Sequence, residues 1–294
     1  MPELPDIVVY IEHLEASLVG QRLERVRLTN PFVLRSVTPP TTSAEGRKVV
    51  GVRRIGKRIV IALESELFLV LHLMIAGRLR WVGAGAKLPG RITLATFEFP
   101  SGTLVFTEAG TKRRASLHVI EGEAALASMD PGGLDVLAAG SQEFADRLKR
   151  ENHTLKRALT DPHLFGGIGN AYSDEILHRA KLSPFAQTVS LSEEDVKGLY
   201  DATRATLAEW TERLRREAGA DFPGKVTAFR EGMAVHGRFR KPCPACGAPV
   251  QRIVYAENET NYCARCQTGG KVLADRALSR LLKASWPRSI DELD

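Results

Sequence analysis

The 294-residue chain has no cysteine before position 243 and only four in all. No disulfide framework can therefore run through its body, and no thiol elsewhere is available as a nucleophile or redox centre. Aromatic residues make up 6% of the sequence, which leaves the cores to aliphatic side chains. Long apolar runs are missing as well. The longest, Leu67–Met74, is broken by His72 and falls far short of the roughly 20 residues that a membrane-spanning helix needs. No secretory leader, internal repeat or low-complexity tract is read, so the expectation is a cytoplasmic protein with no membrane partner, nucleoid-associated if bacterial. Acidic excess is absent too: 41 Lys and Arg stand against 35 Asp and Glu, for a net charge of +6 and a pI near 9.2. A solvated basic surface would account for so modest an excess, but nucleic acid is the partner that it favours.

What is present is concentrated. The four cysteines read Cys243-Pro-Ala-Cys246 and, after residues 247–262, Cys263-Ala-Arg-Cys266. Each C-x2-C turn aims two sulfurs at one point, and two such turns complete the tetrahedral S4 shell that Zn²⁺ prefers. One structural zinc is expected; four thiolates close the shell and leave no place for water or substrate. Two disulfides would require an oxidising compartment. Arg238, Arg240, Lys241, Arg252, Arg265 and Lys271 surround the ribbon, as suits an element that reaches for phosphates.

The rest divides by periodicity. Ile7, Ile11, Leu14 and Leu18 follow a helical spacing, ended by Gly20. Short runs rich in Val, Ile, Phe and Thr then predict strands at Leu23–Leu28, Lys48–Arg54, Arg58–Leu63, Leu67–Leu73, Ile92–Phe99, Thr103–Thr107 and Ala115–Ile120. Seven strands at this spacing predict a sandwich or flattened barrel. After Pro131-Gly-Gly133 the pattern turns helical, at Gln142–Arg150, Thr154–Leu159, Asn170–Ala180 and Ser192–Glu217. A tail helix is expected over Val272–Ala284. The chain is thus read as multidomain α+β: an N-terminal β-sandwich domain (1–130), a helical domain (131–232), a C4 zinc ribbon (233–270) and a tail (271–294).

Three constellations carry chemistry. Met1-Pro2 is a substrate for methionine aminopeptidase, and removal of Met1 would leave Pro2 as a secondary amine able to form an iminium ion with a sugar C1′. Glu3 stands beside it as a proton donor; many chains, however, begin Met-Pro and use the proline for nothing. Gly166-Gly-Ile-Gly169-Asn170 runs into a helix and offers N–H groups and a positive dipole end to a phosphate, although such a turn is often only a turn. Asp174 and Glu175 are expected to serve that helix's first turn. Gly56-Lys57 lies at a hairpin, where a lysine is ordinarily a solvated charge. His72 and Met74 lie in an apolar strand, the usual setting of core residues; Met74 or Ile75 would matter as a wedge between bases only if exposed.

The order of these segments is more specific than any one of them. Pro2-Glu-Leu-Pro, Gly56-Lys57, His72-Leu, Gly167-Ile-Gly-Asn170-x-Tyr172-x-Asp-Glu175 and the four-cysteine ribbon together resemble the formamidopyrimidine-DNA glycosylase/endonuclease VIII family, over nearly the whole chain to about residue 267. The resemblance implies a β-sandwich, a helix–two-turn–helix domain and a zinc finger. It also implies a bifunctional DNA glycosylase/AP lyase of base excision repair, acting as a monomer on duplex DNA with a damaged base or abasic site. Pro2 would be the nucleophile, Glu3 the group that protonates the opening deoxyribose, and Lys57 a phosphate contact that assists proton transfer. Asp6 would be a carboxylate near the nucleophile. Asn170 and Gly169 would hold a flanking phosphate, with His72 near the backbone-binding surface. Leu4 places the chain nearer the formamidopyrimidine branch, and so nearer oxidised or ring-opened purines.

The chain also departs from the family. Asp6 replaces a usual Glu. Asn258 replaces the finger's usual Arg, losing a charge on phosphate. The wedge motif His-Leu-Gly-Met reads His72-Leu73-Met74-Ile75. The Arg-x-Phe loop reads Glu108–Ser116, with Arg113 and Arg114 but no phenylalanine. The segment Asp221–Met233, where a base-capping loop would fall, is short. These departures keep an alternative open: a catalytically weak DNA-damage-binding protein of the same fold. An RNA-binding zinc-ribbon protein would explain the ribbon but not Pro2.

Overall fold

The first helix begins where a reciprocal pair of carboxylates starts it. In the computed structural model, which describes all residues except 84, 87, 111, 225, 227–228, 256–257, 275–279, 283–286 and 293–294, α1 spans Leu4–Leu18 with Glu3 as its N-cap. The Glu3 backbone N–H donates to Asp6 Oδ2 at 2.9 Å, closing a capping box that satisfies donors a helix start otherwise leaves unmet. Ile7, Tyr10, Leu14 and Leu18 form the buried face.

The backbone separates into two units, Met1–Pro131 with Trp210–Thr227, and Gly132–Glu209 with Ala228–Asp294. In the first, the strands are β1 (Arg25–Leu28), β2 (Val49–Ile55), β3 (Arg58–Leu63), β4 (Leu67–His72), β5 (Gly77–Val82), β6 (Thr93–Phe99), β7 (Gly102–Glu108) and β8 (Ser116–Glu121). They form two antiparallel four-stranded sheets, ordered β1-β6-β7-β5 and β2-β3-β4-β8. Alternation sorts β4: Leu67, Leu69 and Leu71 enter the core shared by both sheets, while Phe68 and Val70 pack outward with Leu126. Leu126 lies on a short helix, α2 (Glu123–Ala127). Truncating one of the inner leucines to Ala should cost about 2–5 kcal/mol. Two elements escape the sequence reading. The strand β5 carries Arg78 and Arg80 and only one fully buried aliphatic, Leu79, and α2 is too short to show a period.

The second unit holds α3 (Ser141–Lys149), α4 (Leu155–Thr160), α5 (Asn170–Arg179) and the first part of α6 (Glu193–Ala218). It ends in the ribbon, with β9 (Gln251–Tyr255), β10 (Asn258–Tyr262) and α7 (Ala264–Thr268). Helix α5 is buried from Ala171 through His178. The glycine at the expected boundary has a packing reason: a Cβ on Gly133 would lie 2.2 Å from the Pro162 carbonyl oxygen, beside the Leu134–Phe165 bridge. Of the expected tail helix, residues 280–282 are helical, and most of the remainder lies outside the described residues. No helix among the described residues is long and apolar enough to cross a membrane.

Candidate active site and metal centre

In the first unit, ionisable groups gather around the chain start. Glu3 is 2% and Asp6 4% exposed. Burial holds the Met1 amine below the ordinary α-amine value; Glu3 and Asp6 work against that shift, while Arg78 and Lys57 reinforce it. Lys57 follows Gly56, whose φ of +56° forms the two-residue turn between β2 and β3. Burial pushes the Lys57 ammonium down from its usual value, and Glu3 is the charge that opposes this. His72, across the ladder from Arg58, is lowered to about 4 by burial, then by Arg58, Lys57 and His118; it is a neutral imidazole at pH 7. Amine, carboxylate and lysine thus share one electrostatic neighbourhood. Lowering an amine's pKa enlarges the unprotonated, nucleophilic fraction at a given pH.

Two loops flank these groups in sequence. Met74 follows β4 at φ +51°, in the left-handed region that favours glycine. This is the Gly position of the usual His-Leu-Gly-Met. Met74 is half-buried, whereas Ile75 is 57% exposed, so Ile75 occupies the outward position. The loop after β7 is organised by Glu108, itself 2% exposed, whose carboxylate accepts the N–H groups of Arg114 (3.0 Å) and Ala115 (3.2 Å). Arg113 donates to the Arg91 carbonyl at 3.0 Å, and both arginines are exposed.

In the second unit, the glycine turn ends at Gly169, the N-cap of α5, with an extended φ of −134° that needs no glycine; Gly167, at +90°, is the one that does. Asn170 turns its amide to the ribbon and donates from Nδ2 to the Glu259 carbonyl oxygen at 2.8 Å. Asp174 and Glu175 do not serve the first helical turn, contrary to the sequence expectation. Asp174 is 1% exposed; it receives Lys156 Nζ at 2.5 Å, His236 Nδ1 at 2.8 Å and the Asn261 N–H at 3.1 Å. Glu175 accepts the N–H groups of Ala234, Val235 and His236 at 2.7–2.9 Å. Both carboxylates tie α5 to the segment before the ribbon. Lys156 and His236 belong to no motif, and only the fold reveals them. Asn258 is exposed at the start of β10, paired with Tyr255.

The four cysteines are free thiols, and their sulfurs all lie within 4.8 Å of one another. Cys246–Cys263 is 3.4 Å and Cys243–Cys266 is 3.9 Å. Sulfurs bonded to zinc at 2.3 Å in a tetrahedron sit about 3.8 Å apart, so the cage fits one Zn²⁺. Burial pushes the Cys263 thiol up to about 11, and burial with its thiol neighbours pushes Cys266 up too; a bound dication reverses both. His178, overlooked in the sequence, places Nε2 at 3.2 Å from Cys243 Sγ. Burial lowers its pKa; beside a zinc-bound thiolate, which can only accept, the ring would give its Nε2–H to the sulfur.

A β-sandwich with an amine-bearing start, a helix–two-turn–helix and a four-cysteine finger define a class of DNA-repair glycosylases, and comparison with known proteins agrees. Residues 1–115 match the formamidopyrimidine-DNA glycosylase N-terminal domain, 133–217 its H2TH domain, and 240–269 the zinc finger found in FPG and IleRS. The chain is 36% identical to the formamidopyrimidine-DNA glycosylase of Thermus thermophilus over 279 residues, covering 92% of this chain and 100% of that one. It is 31% identical to that of Solibacter usitatus, covering 91% and 99%. The crystal structure of the Thermus thermophilus MutM (Fpg) protein superposes with a TM-score of 0.76 at 33% identity, over 90% of this chain and 98% of that one. The Lactococcus lactis Fpg in complex with abasic-site DNA shares the fold, with a TM-score of 0.80 at 23% identity, over 90% and 99%. The chain belongs to the formamidopyrimidine-DNA glycosylase family, whose members are DNA glycosylases with AP lyase activity.

Proposed function

We propose that this protein is a bifunctional DNA glycosylase/AP lyase of base excision repair, with oxidised or ring-opened purines in duplex DNA as its substrates and Pro2 as its nucleophile. The observation that carries this is the chain start itself, where burial lowers the amine's pKa and sets it in one electrostatic neighbourhood with Glu3 and Lys57. In the structure Pro2 nitrogen is an amide bonded to Met1; removal of Met1 turns it into the amine. Its lone pair then bonds to C1′ of a nucleotide flipped out of the duplex as the base departs with the glycosidic electron pair. The proton on the attacking nitrogen passes to the departing base, protonated Glu3 gives its own to the ring oxygen as the sugar opens, leaving an iminium, and loss of a C2′ proton expels the 3′ phosphate. Lys57 contacts phosphate at the lesion and assists proton transfer. The Asp6 carboxylate fixes the Glu3 backbone through the capping box, so it positions the acid rather than reacting.

DNA binding falls to His72, Ile75 with Met74 behind it, Arg113 and Arg114 in the first unit, and to Gly169, Asn170 and Asn258 in the second. Residues 131–232 serve as the helix–two-turn–helix domain, 233–270 as the finger and 271–294 as a tail. One lesion requires one site, so a monomer suffices, acting in the cytoplasm, where thiols stay reduced for zinc. The test is release of 8-oxoguanine or a formamidopyrimidine from an otherwise intact duplex, with strand cleavage followed on the same samples. Release with cleavage supports the reading. Tight binding to abasic-site duplex with neither activity would replace it with the damage-binding alternative.

A further inference from the structure

Asn258 brings no charge to the position where the finger usually carries arginine, and the ribbon holds its charge elsewhere. Between Glu231 and Glu257 the sequence has Arg238, Arg240, Lys241 and Arg252 and no carboxylate. Two of these converge on one ring: the guanidinium carbon of Arg252 lies 4.3 Å, and that of Arg240 5.3 Å, from the Phe239 centroid. Both arginines are exposed while Phe239 is half-buried, so the ring orients the guanidinium planes and leaves their N–H edges to solvent. They are at most about 10 Å apart, a Debye length at 0.1 M salt, and act electrostatically as one site.

The backbone beneath is fixed. Arg240 N–H donates to the Val250 carbonyl and Val250 N–H to that of Lys241, each at 2.9 Å, and Arg238 braces the turn through the Pro242 carbonyl at 3.0 Å. Arg240 itself sits at φ +65°, a conformation in which a glycine would be unstrained. Among the described residues no carboxylate pairs with Arg240, and Arg252 meets Glu259 at 3.2 Å.

The geometry points to a phosphodiester-binding site formed by Arg240 and Arg252 on the Phe239 ring, at the base of the zinc ribbon. It takes over, for undamaged flanking duplex, the contact that Asn258 cannot make at the hairpin tip. The assignment rests on the DNA-binding reading above. Glu259 competes with the phosphate for Arg252, so freeing that arginine should tighten binding.

The experiment is the salt dependence of affinity for an abasic-site duplex, measured on zinc-loaded protein with its Met1 removed. Each phosphate contact contributes about 0.9 to the slope of log Kd against log salt. The R240A/R252A double variant should lose about 2 from that slope, with zinc content and melting temperature unchanged, and Phe239→Leu should lose part of it. Glu259→Gln should bind several-fold more tightly, with a steeper slope, an outcome that a merely structural ion pair would not give. Unchanged slopes in the arginine variants, beside a salt-dependent wild type, would overturn this site and leave the DNA-binding reading intact. A wild type with no salt-dependent binding at all would overturn both.

Discussion

The two units surround most of their buried ionisable groups differently. In the sandwich unit, burial moves the chain-start amine, Lys57 and His72 away from their ordinary values, and nearby cations add to the shift of the amine and of His72. In the helical and ribbon unit burial raises Glu175 too, but three backbone N–H groups oppose that shift, and Asp174 is met by Lys156, His236 and a fourth N–H. A buried group whose charge is opposed by its surroundings is poised to exchange a proton or attack; one whose hydrogen bonds are met holds architecture. The proposed function accordingly assigns the chemistry to the sandwich unit and much of the DNA contact to the second.

The strongest challenge to that division is to remove the metal. Binding of a structural zinc carries about 10–16 kcal/mol of apparent folding free energy in small fingers. Chelation, or Cys246→Ala, should abolish duplex binding while a calorimetric transition for the sandwich persists. Loss of both transitions would show one cooperative body. Next, Glu3→Gln should slow base release by about 10²–10⁴-fold with little change in affinity for abasic-site duplex, measured by single-turnover kinetics. A third variant, Lys156→Met, leaves Asp174 short of its buried cation and should cost about 3–5 kcal/mol in denaturant unfolding, without touching single-turnover rates at saturating DNA.

His72 gives a smaller, pH-resolved effect. Its folded pKa of about 4 lies below its ordinary 6.5, so the unfolded chain binds more protons between those values, and stability falls as pH drops across that window. His72→Gln should remove up to about 2–3 kcal/mol of that loss, seen in melts at pH 7.5 and 4.5. Smallest is Asn258→Arg, which should tighten binding a few-fold and steepen the salt slope by about 1.

Much of this was legible in the sequence, because the relevant signals are local. The S4 cage follows from two C-x2-C turns, α1 from its apolar spacing, and seven strands from short β-branched runs. What escaped depends on distant partners. Arg78 and Arg80 mask β5, a strand that gains its place through pairing with β7. Asp174 and Glu175 read as first-turn acids because nothing in the sequence shows Lys156 and His236 converging on that helix. Asn170 reads as a phosphate contact, and nothing in the sequence shows that one of its amide N–H groups is given to the Glu259 carbonyl. The wedge register became readable only when Met74 proved to hold a glycine's φ, which leaves Ile75 outward.

The central claim is that an amine at the chain start does the chemistry, and borohydride reduction in the presence of an abasic-site duplex tests it most directly. With Met1 removed, a covalent protein–DNA adduct should form and map by mass spectrometry to the peptide beginning at Pro2. An adduct on a lysine such as Lys57, or bound duplex with no adduct at all, would contradict the account.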